Sequence, residues 1–213
     1  VTLGERCIDL AFQEMKAGIR ANAKPFPNTG PRVREYLAGC VRDVDKDGDD
    51  DRLGLKEGNW CMAFQAWLLE QSLQPGEERP HKYRASVLEA VNDARALGRY
   101  FPVGKGYIPK SGDLAIWDRS DPKAPGTAWQ KHVNRVVSFD PTDSRFVTIG
   151  GNEGRQIQLT AKAPKRLDAN KLEGFIDYTQ EEVERPSDLF LPGEREKVQA
   201  LIERTLSEIN VRT

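Results

Sequence analysis

Leu3, Cys7, Ile8, Ala11, Phe12 and Met15 repeat at intervals of three and four residues, the spacing of one buried helical face, and predict a helix from residue 3 to about residue 21. The Pro- and Gly-rich stretch 24–31 interrupts the pattern as a loop. Val33, Tyr36, Leu37 and Val41 then align on one face of a second helix over residues 32–41. Acidic, polar residues dominate 43–54, and after them Asn59-Trp60 leads into Cys61-Met-Ala-Phe-Gln-Ala-Trp-Leu-Leu-Glu70. That run predicts a strongly apolar third helix with Cys61 in its first turn. A break from Pro75 to Pro80 precedes a fourth helix over 86–97, with Val87, Ala90, Val91, Ala94 and Leu97 on one side.

Beyond Gly98 the period shortens to that of strands. The turn-rich Tyr107-Ile-Pro-Lys-Ser-Gly112 leads to a strand at 113–117, and short runs at 132–139, 145–149, 156–160 and 174–178 follow between turn signals. Strands without helices between them predict an antiparallel meander rather than βαβ units, and helices followed by a sheet is the α+β order. Val198, Leu201, Ile202, Leu206 and Ile209 form one more stripe and predict an amphipathic C-terminal helix. The expected organisation is one α+β domain over residues 1–180, then a linker and helix over 181–213 that docks on the domain or on a partner.

The 213 residues carry 32 Lys plus Arg against 33 Asp plus Glu, a formal charge of −1, which excludes an overall basic nucleic-acid binder. No stretch reaches the roughly 18 apolar residues of a membrane helix, and the segment after Val1 is too polar for a secretory signal. The start at Val1 reads as a trimmed leader or an excised domain, so export stays open. Cys7, Cys40 and Cys61 include no CxxC pair, and an odd number leaves at least one thiol free. Cys7 reads as a small buried hydrophobe beside Leu3 and Leu10, and Cys40 reads similarly.

Cys61 differs. A thiol attacks as thiolate, which the positive end of a helix dipole and its unpaired N–H groups favour, and Cys61 has that placement. It also needs a base within reach and a third group to orient that base. His81 lies in a Pro-flanked charged loop and reads as a surface residue, whereas His132 heads a strand. The orienting group is expected from the next strand, where Thr148-Ile-Gly-Gly-Asn152-Glu153 allows close backbone approach at its two glycines. Asn152 is preferred over Glu153, because an Asn carbonyl holds the imidazole tautomer without committing the ring to its charged form. An oxyanion would face the Cys61 N–H and a second donor, for which Asn59 is the candidate. Spacing alone leaves this triad open against a domain in which Cys61 is merely buried.

In combination these residues resemble the CHAP family (cysteine, histidine-dependent amidohydrolases/peptidases) within the NlpC-like, papain-like cell-wall hydrolases. Asn59-Trp60-Cys61-Met-Ala-Phe64 is similar to the family's Trp-Cys helix and Ser111-Gly-Asp113-Leu-Ala-Ile-Trp117 to its Gly-Asp strand. His132-Val133 is similar to its His-Val strand and Ile149-Gly-Gly-Asn152 to its terminal Asn strand, in the same order. Gly30-Pro-Arg-Val-Arg-Glu-Tyr-Leu37 is similar to the segment before the Trp-Cys helix in one bacterial and phage branch, so the resemblance covers about residues 5–178.

The resemblance implies a papain-like fold and hydrolysis of a peptidoglycan amide bond, in the stem or cross-bridge peptide or between muramic acid and L-alanine. Cys61 would attack, His132 would move the proton and Asn152 would orient His132, with Trp60, Asn59 and Asn134 beside the substrate. No catalytic cofactor is implied. The site of action would be the bacterial cell wall, reached by secretion, from the periplasm or with a phage, and a delivery module or an immunity or inhibitor protein fits that role. Two departures stand out. Asn134 and Arg135 follow His-Val where many members have Gly, and Gly150 stands where many have a carboxylate, leaving Asn152 or Glu153 as the orienter.

Asp43-Val-Asp45-Lys-Asp47-Gly48-Asp49 has carboxylates at positions 1, 3 and 5 and glycine at 6 of a calcium loop. Asp43, Asp45, Asp47 and Asp49 are the candidate ligands of a structural calcium, although position 12 is Gly54 and only Glu57 lies near to substitute. Six Asp between residues 43 and 51 repel one another without a cation, and the other reading is a solvated acidic turn. Two further functional readings stay open: a catalytically silent wall-binding or adaptor module, and a cysteine hydrolase acting on a protein.

Overall fold

A computed structural model describes residues 1–22, 30–38, 40, 59–80, 82–124, 126–127, 130–160 and 165–178. Among them, four helices come first: α1 (Leu3–Lys16), α2 (Pro31–Ala38), α3 (Cys61–Ser72) and α4 (Val87–Ala96). Seven strands follow: β1 (Tyr100–Pro102), β2 (Leu114–Asp118), β3 (Lys131–Asp140), β4 (Arg145–Glu153), β5 (Gln156–Leu159), β6 (Lys165–Arg166) and β7 (Leu172–Ile176). The fold is α+β, with the helices packed on an antiparallel sheet. The acidic loop with its four candidate calcium ligands, His81, Trp129 and the expected C-terminal helix lie outside the described residues. Among the described residues no helix is long and apolar enough to cross a membrane.

Local chemistry accounts for the helix ends. Thr2 and Glu5 form a capping box, each side chain accepting the other's backbone N–H. The helix stops at Lys16 rather than near residue 21, where Gly18 takes a left-handed φ of 69°. Ser86 caps α4 by accepting the Glu89 N–H. No side chain caps α3, so its first N–H groups stay available at Cys61.

The strand order is β1-β7-β2-β3-β4-β5, with β6 paired to one end of β4. β2 to β5 form the expected meander, but β7 departs from it and returns between β1 and β2. Leu114, Ala115 and Ile116 of β2 are fully buried, a strand covered on both faces and paired on both sides. Gly174 lets β7 pass close to β1, since a Cβ there would stand 2.5 Å from the Phe101 carbonyl oxygen.

One apolar core joins α1, α2, α3 and α4 to Leu114, Ile116, Val133, Val137, Ile149 and Ile176 of the sheet. A second gathers Ala115, Val136, Phe139, Phe146, Leu172 and Phe175. Each fully buried Leu or Phe stabilises the fold by about 1.5–3 kcal/mol, so α3, with Met62, Phe64 and Leu68 all at 0% exposure, is anchored strongly. Polar contacts fix its register. Fully buried Arg135 of β3 donates through Nε to Gln65 Oε1 at 3.0 Å and through Nη1 to the Gly112 carbonyl at 2.7 Å. Arg32 and the Tyr36 hydroxyl both donate to Glu14, tying α2 to α1, and the Arg32 guanidinium lies 4.7 Å from the Trp67 ring centre on α3.

Candidate active site

The first turn of α3 rests on β4 at a single glycine. A Cβ on Gly151 would stand 2.5 Å from Cζ3 of Trp60 and 3.0 Å from Cβ of Phe64, so a larger residue would lift the helix start away from the sheet. Cys61 is 3% exposed there. Trp60, expected beside the substrate, has no exposed surface and stacks on Tyr36 with ring centres 5.7 Å apart; among the described residues its indole N–H has no hydrogen-bond partner.

His132 lies in β3 opposite Trp117 of β2 and is 3% exposed. Its Nε2 stands 2.6 Å from Oε1 of Glu153, and the Cys61 thiol is the other neighbour that acts on the ring electrostatically. Burial pulls the His132 pKa down, but the hydrogen bonds and charges of Cys61 and Glu153 prevail and raise it above 6.5. Burial pushes the Glu153 carboxyl up, yet His132, Asn134 and Arg119 outweigh it and hold the pKa at about 2. At neutral pH Glu153 is therefore a carboxylate directed at a strengthened base.

Asn152, the expected orienter, is placed elsewhere. Arg135 pairs with Ile149, and this ladder continued in register sets residue 152 opposite His132. Alternation fails at that point because Asn152 adopts a left-handed φ of 61° and the β4–β5 register shifts between Gly150 and Glu153. Asn152 Nδ2 instead donates to Asn59 Oδ1 at 3.2 Å, and Glu153 reaches His132. Gly154 and Arg155, both at positive φ, then close the two-residue hairpin into β5.

The other expected residues divide. Asn59 is exposed, and its Oδ1 accepts from Asn152 Nδ2 at 3.2 Å. Asn134, expected on the substrate side, is 3% exposed and donates through Nδ2 to Glu153 Oε1 at 2.9 Å. Arg119 Nη2 stands 3.4 Å from Glu153 Oε2 at the rim and had no sequence signal. Glu153 itself had one: Asn152-Glu153-Gly154 combines two residue types that tolerate left-handed backbone, which marks a break in alternation.

A thiol at a helix N-terminus, an imidazole coupled to it and a carboxylate on that imidazole are groups that acyl transfer can use. Among the described residues no group of three or more His, Cys, Asp or Glu could hold a metal ion. No protein-family model matches the chain, and no curated protein or solved structure matches it either.

Proposed function

We propose that this chain is a thiol-dependent peptidoglycan hydrolase with a papain-like, CHAP-type fold, cleaving an amide bond through an acyl-enzyme. The observation that carries the reading is Cys61 at the start of α3, electrostatically coupled to a buried His132 whose Nε2 is held by Glu153 at 2.6 Å. The peptidoglycan substrate rests on the resemblance of the Trp-Cys, Gly-Asp, His-Val and terminal Asn segments, in that order, to wall hydrolases. The wall is accordingly the proposed site of action.

In the proposed reaction His132 takes the Cys61 proton, and the sulfur attacks the amide carbonyl carbon. The oxyanion faces the Cys61 N–H and the Asn59 amide. The imidazolium returns the proton to the leaving nitrogen as the C–N bond breaks, which releases the amine and leaves a thioester. His132 then deprotonates a water that attacks the thioester, releasing the carboxylic acid and restoring the thiol. Glu153 stabilises the imidazolium in both halves.

Mass-resolved digestion of purified peptidoglycan, comparing the intact protein with Cys61→Ala, tests the proposal. Fragments released only by the intact protein establish the activity and name the bond. If several wall chemotypes stay undigested with calcium present, the reading fails. Loss of digestion with a chelator would tie the Asp43–Asp51 segment to activity. The near-complete burial of Cys61 favours one second reading, a silent wall-binding module, and wall pull-down without fragment release would support it.

A further inference from the structure

We infer that Asn134 and Gly150 act as one positioning unit that locks the Glu153 carboxylate on to His132. The inference rests on the reading of Cys61, His132 and Glu153 as a thiol site. Glu153 ends β4 beside the hairpin, its side chain is 24% exposed, and a Glu has three rotatable bonds to restrain. Its Oε1 is shared by two donors from β3, His132 Nε2 at 2.6 Å and Asn134 Nδ2 at 2.9 Å. His132 and Asn134 are two residues apart on one strand and therefore face the same side. Among the described residues its other oxygen meets only the half-exposed Arg119 at 3.4 Å, a contact that solvent and salt weaken. Without Asn134, His132 Nε2 is the one contact on Oε1 among the described residues that opposes rotation of the carboxylate toward Arg119 and water.

Gly150 provides the room. A Cβ at this position would stand 2.3 Å from Asn134 Nδ2 and 2.9 Å from its Cγ. Gly150 is not among the residues with positive φ, so its backbone conformation does not demand glycine. The requirement is the space that the Asn134 amide fills.

The test compares Asn134→Ala, Gly150→Ala and the double variant with the parent chain by two readouts. One is the NMR titration of His132, assigned by its absence in His132→Ala, since the chain has only 2 His. The other is the pH dependence of Cys61 alkylation by iodoacetamide, mapped by mass because the chain has 3 Cys. Each single variant should lower the His132 pKa by about half a unit or more and slow Cys61 alkylation near pH 6 by about threefold. The double variant should be no worse than either single, because the new methyl group occupies the space that Asn134 vacates. Folded variants that leave both profiles unchanged, or single effects that add in the double, would overturn the inference. If Asn134→Ala does not fold, Gly150→Ala carries the test, since it removes no group. Neither readout uses peptidoglycan, so a protein that digests no wall but shows these shifts fails the functional proposal alone.

Discussion

His132 draws its proton affinity from two neighbours, the Cys61 thiol at a helix end and the Glu153 carboxylate on the next strand. Glu153→Gln keeps the shape and removes the charge. It should lower kcat by about 10- to 100-fold and move the alkaline limb of the pH–rate profile to lower pH, because His132 loses a partner that raises its pKa. Profiles of kcat/KM against pH on a peptide released from peptidoglycan check both; an unmoved limb would remove Glu153 from the mechanism. Asn152 acts through its backbone. Asn152→Gly accepts a φ of 61° and should leave the His132 titration unchanged, whereas Asn152→Val cannot hold that angle and should lower the His132 pKa by displacing Glu153. The places of Cys61 at a helix start and of His132 near a strand start were legible because both element ends are visible in the hydrophobic pattern. The choice between Asn152 and Glu153 was not, since regular alternation points to Asn152 and one left-handed residue reverses the assignment.

At the scale of elements, the reactivity of Cys61 depends on how α3 is seated. Gly151 admits the Trp60 ring and Phe64, and Arg135 with Gln65 holds the following turn over β3. Gly151→Ala forces a methyl group to within 2.5 Å of Trp60 and should destabilise the protein by about 1–3 kcal/mol, read as a lower urea midpoint. It should also slow Cys61 alkylation in protein that remains folded, because the displaced first turn carries the thiol away from His132. A loss of stability with unchanged Cys61 reactivity would show that the Trp60–Gly151 contact is packing alone. The other three described helices were readable from apolar periodicity, and α3 from a long run that burial on nearly every side makes apolar throughout. The place of β7 was not readable. Strand order depends on which sheet edge the chain returns to, and no local pattern encodes that choice.

For the whole molecule, the helices-then-sheet order was legible in the sequence, but the electrostatic balance of its interior was not, because it depends on partners distant in the chain. Asp113 of the Gly-Asp segment is fully buried. Its Oδ2 accepts from the Tyr107 hydroxyl and the Lys110 N–H, both at 2.7 Å, while Oδ1 has no hydrogen-bond partner among the described residues. Burial first and the nearby Asp177 charge second push its pKa up to about 7, against the hydrogen bonds from Lys110 and Tyr107 and the Lys110 charge. A carboxyl raised in the fold binds its proton more tightly there than in the unfolded chain, where the ordinary value is 3.8. Its contribution is therefore complete below about pH 4 and is lost as pH rises through about 7, a difference on the order of 4 kcal/mol. Glu153 has the opposite sign: with a folded value of about 2 against 4.5, it contributes above pH 4.5 and is lost as pH falls toward 2. His132, raised above 6.5, adds to the decline on the alkaline side. Stability should thus peak near pH 4 to 5 and fall toward pH 7, measured as the urea unfolding free energy across pH. Asp113→Asn keeps a carbonyl oxygen for Tyr107 and Lys110 and removes the titration, so it should flatten that fall and raise stability at pH 8 relative to the parent. A decline that persists undiminished in Asp113→Asn would assign it instead to His132, and His132→Gln would then abolish it.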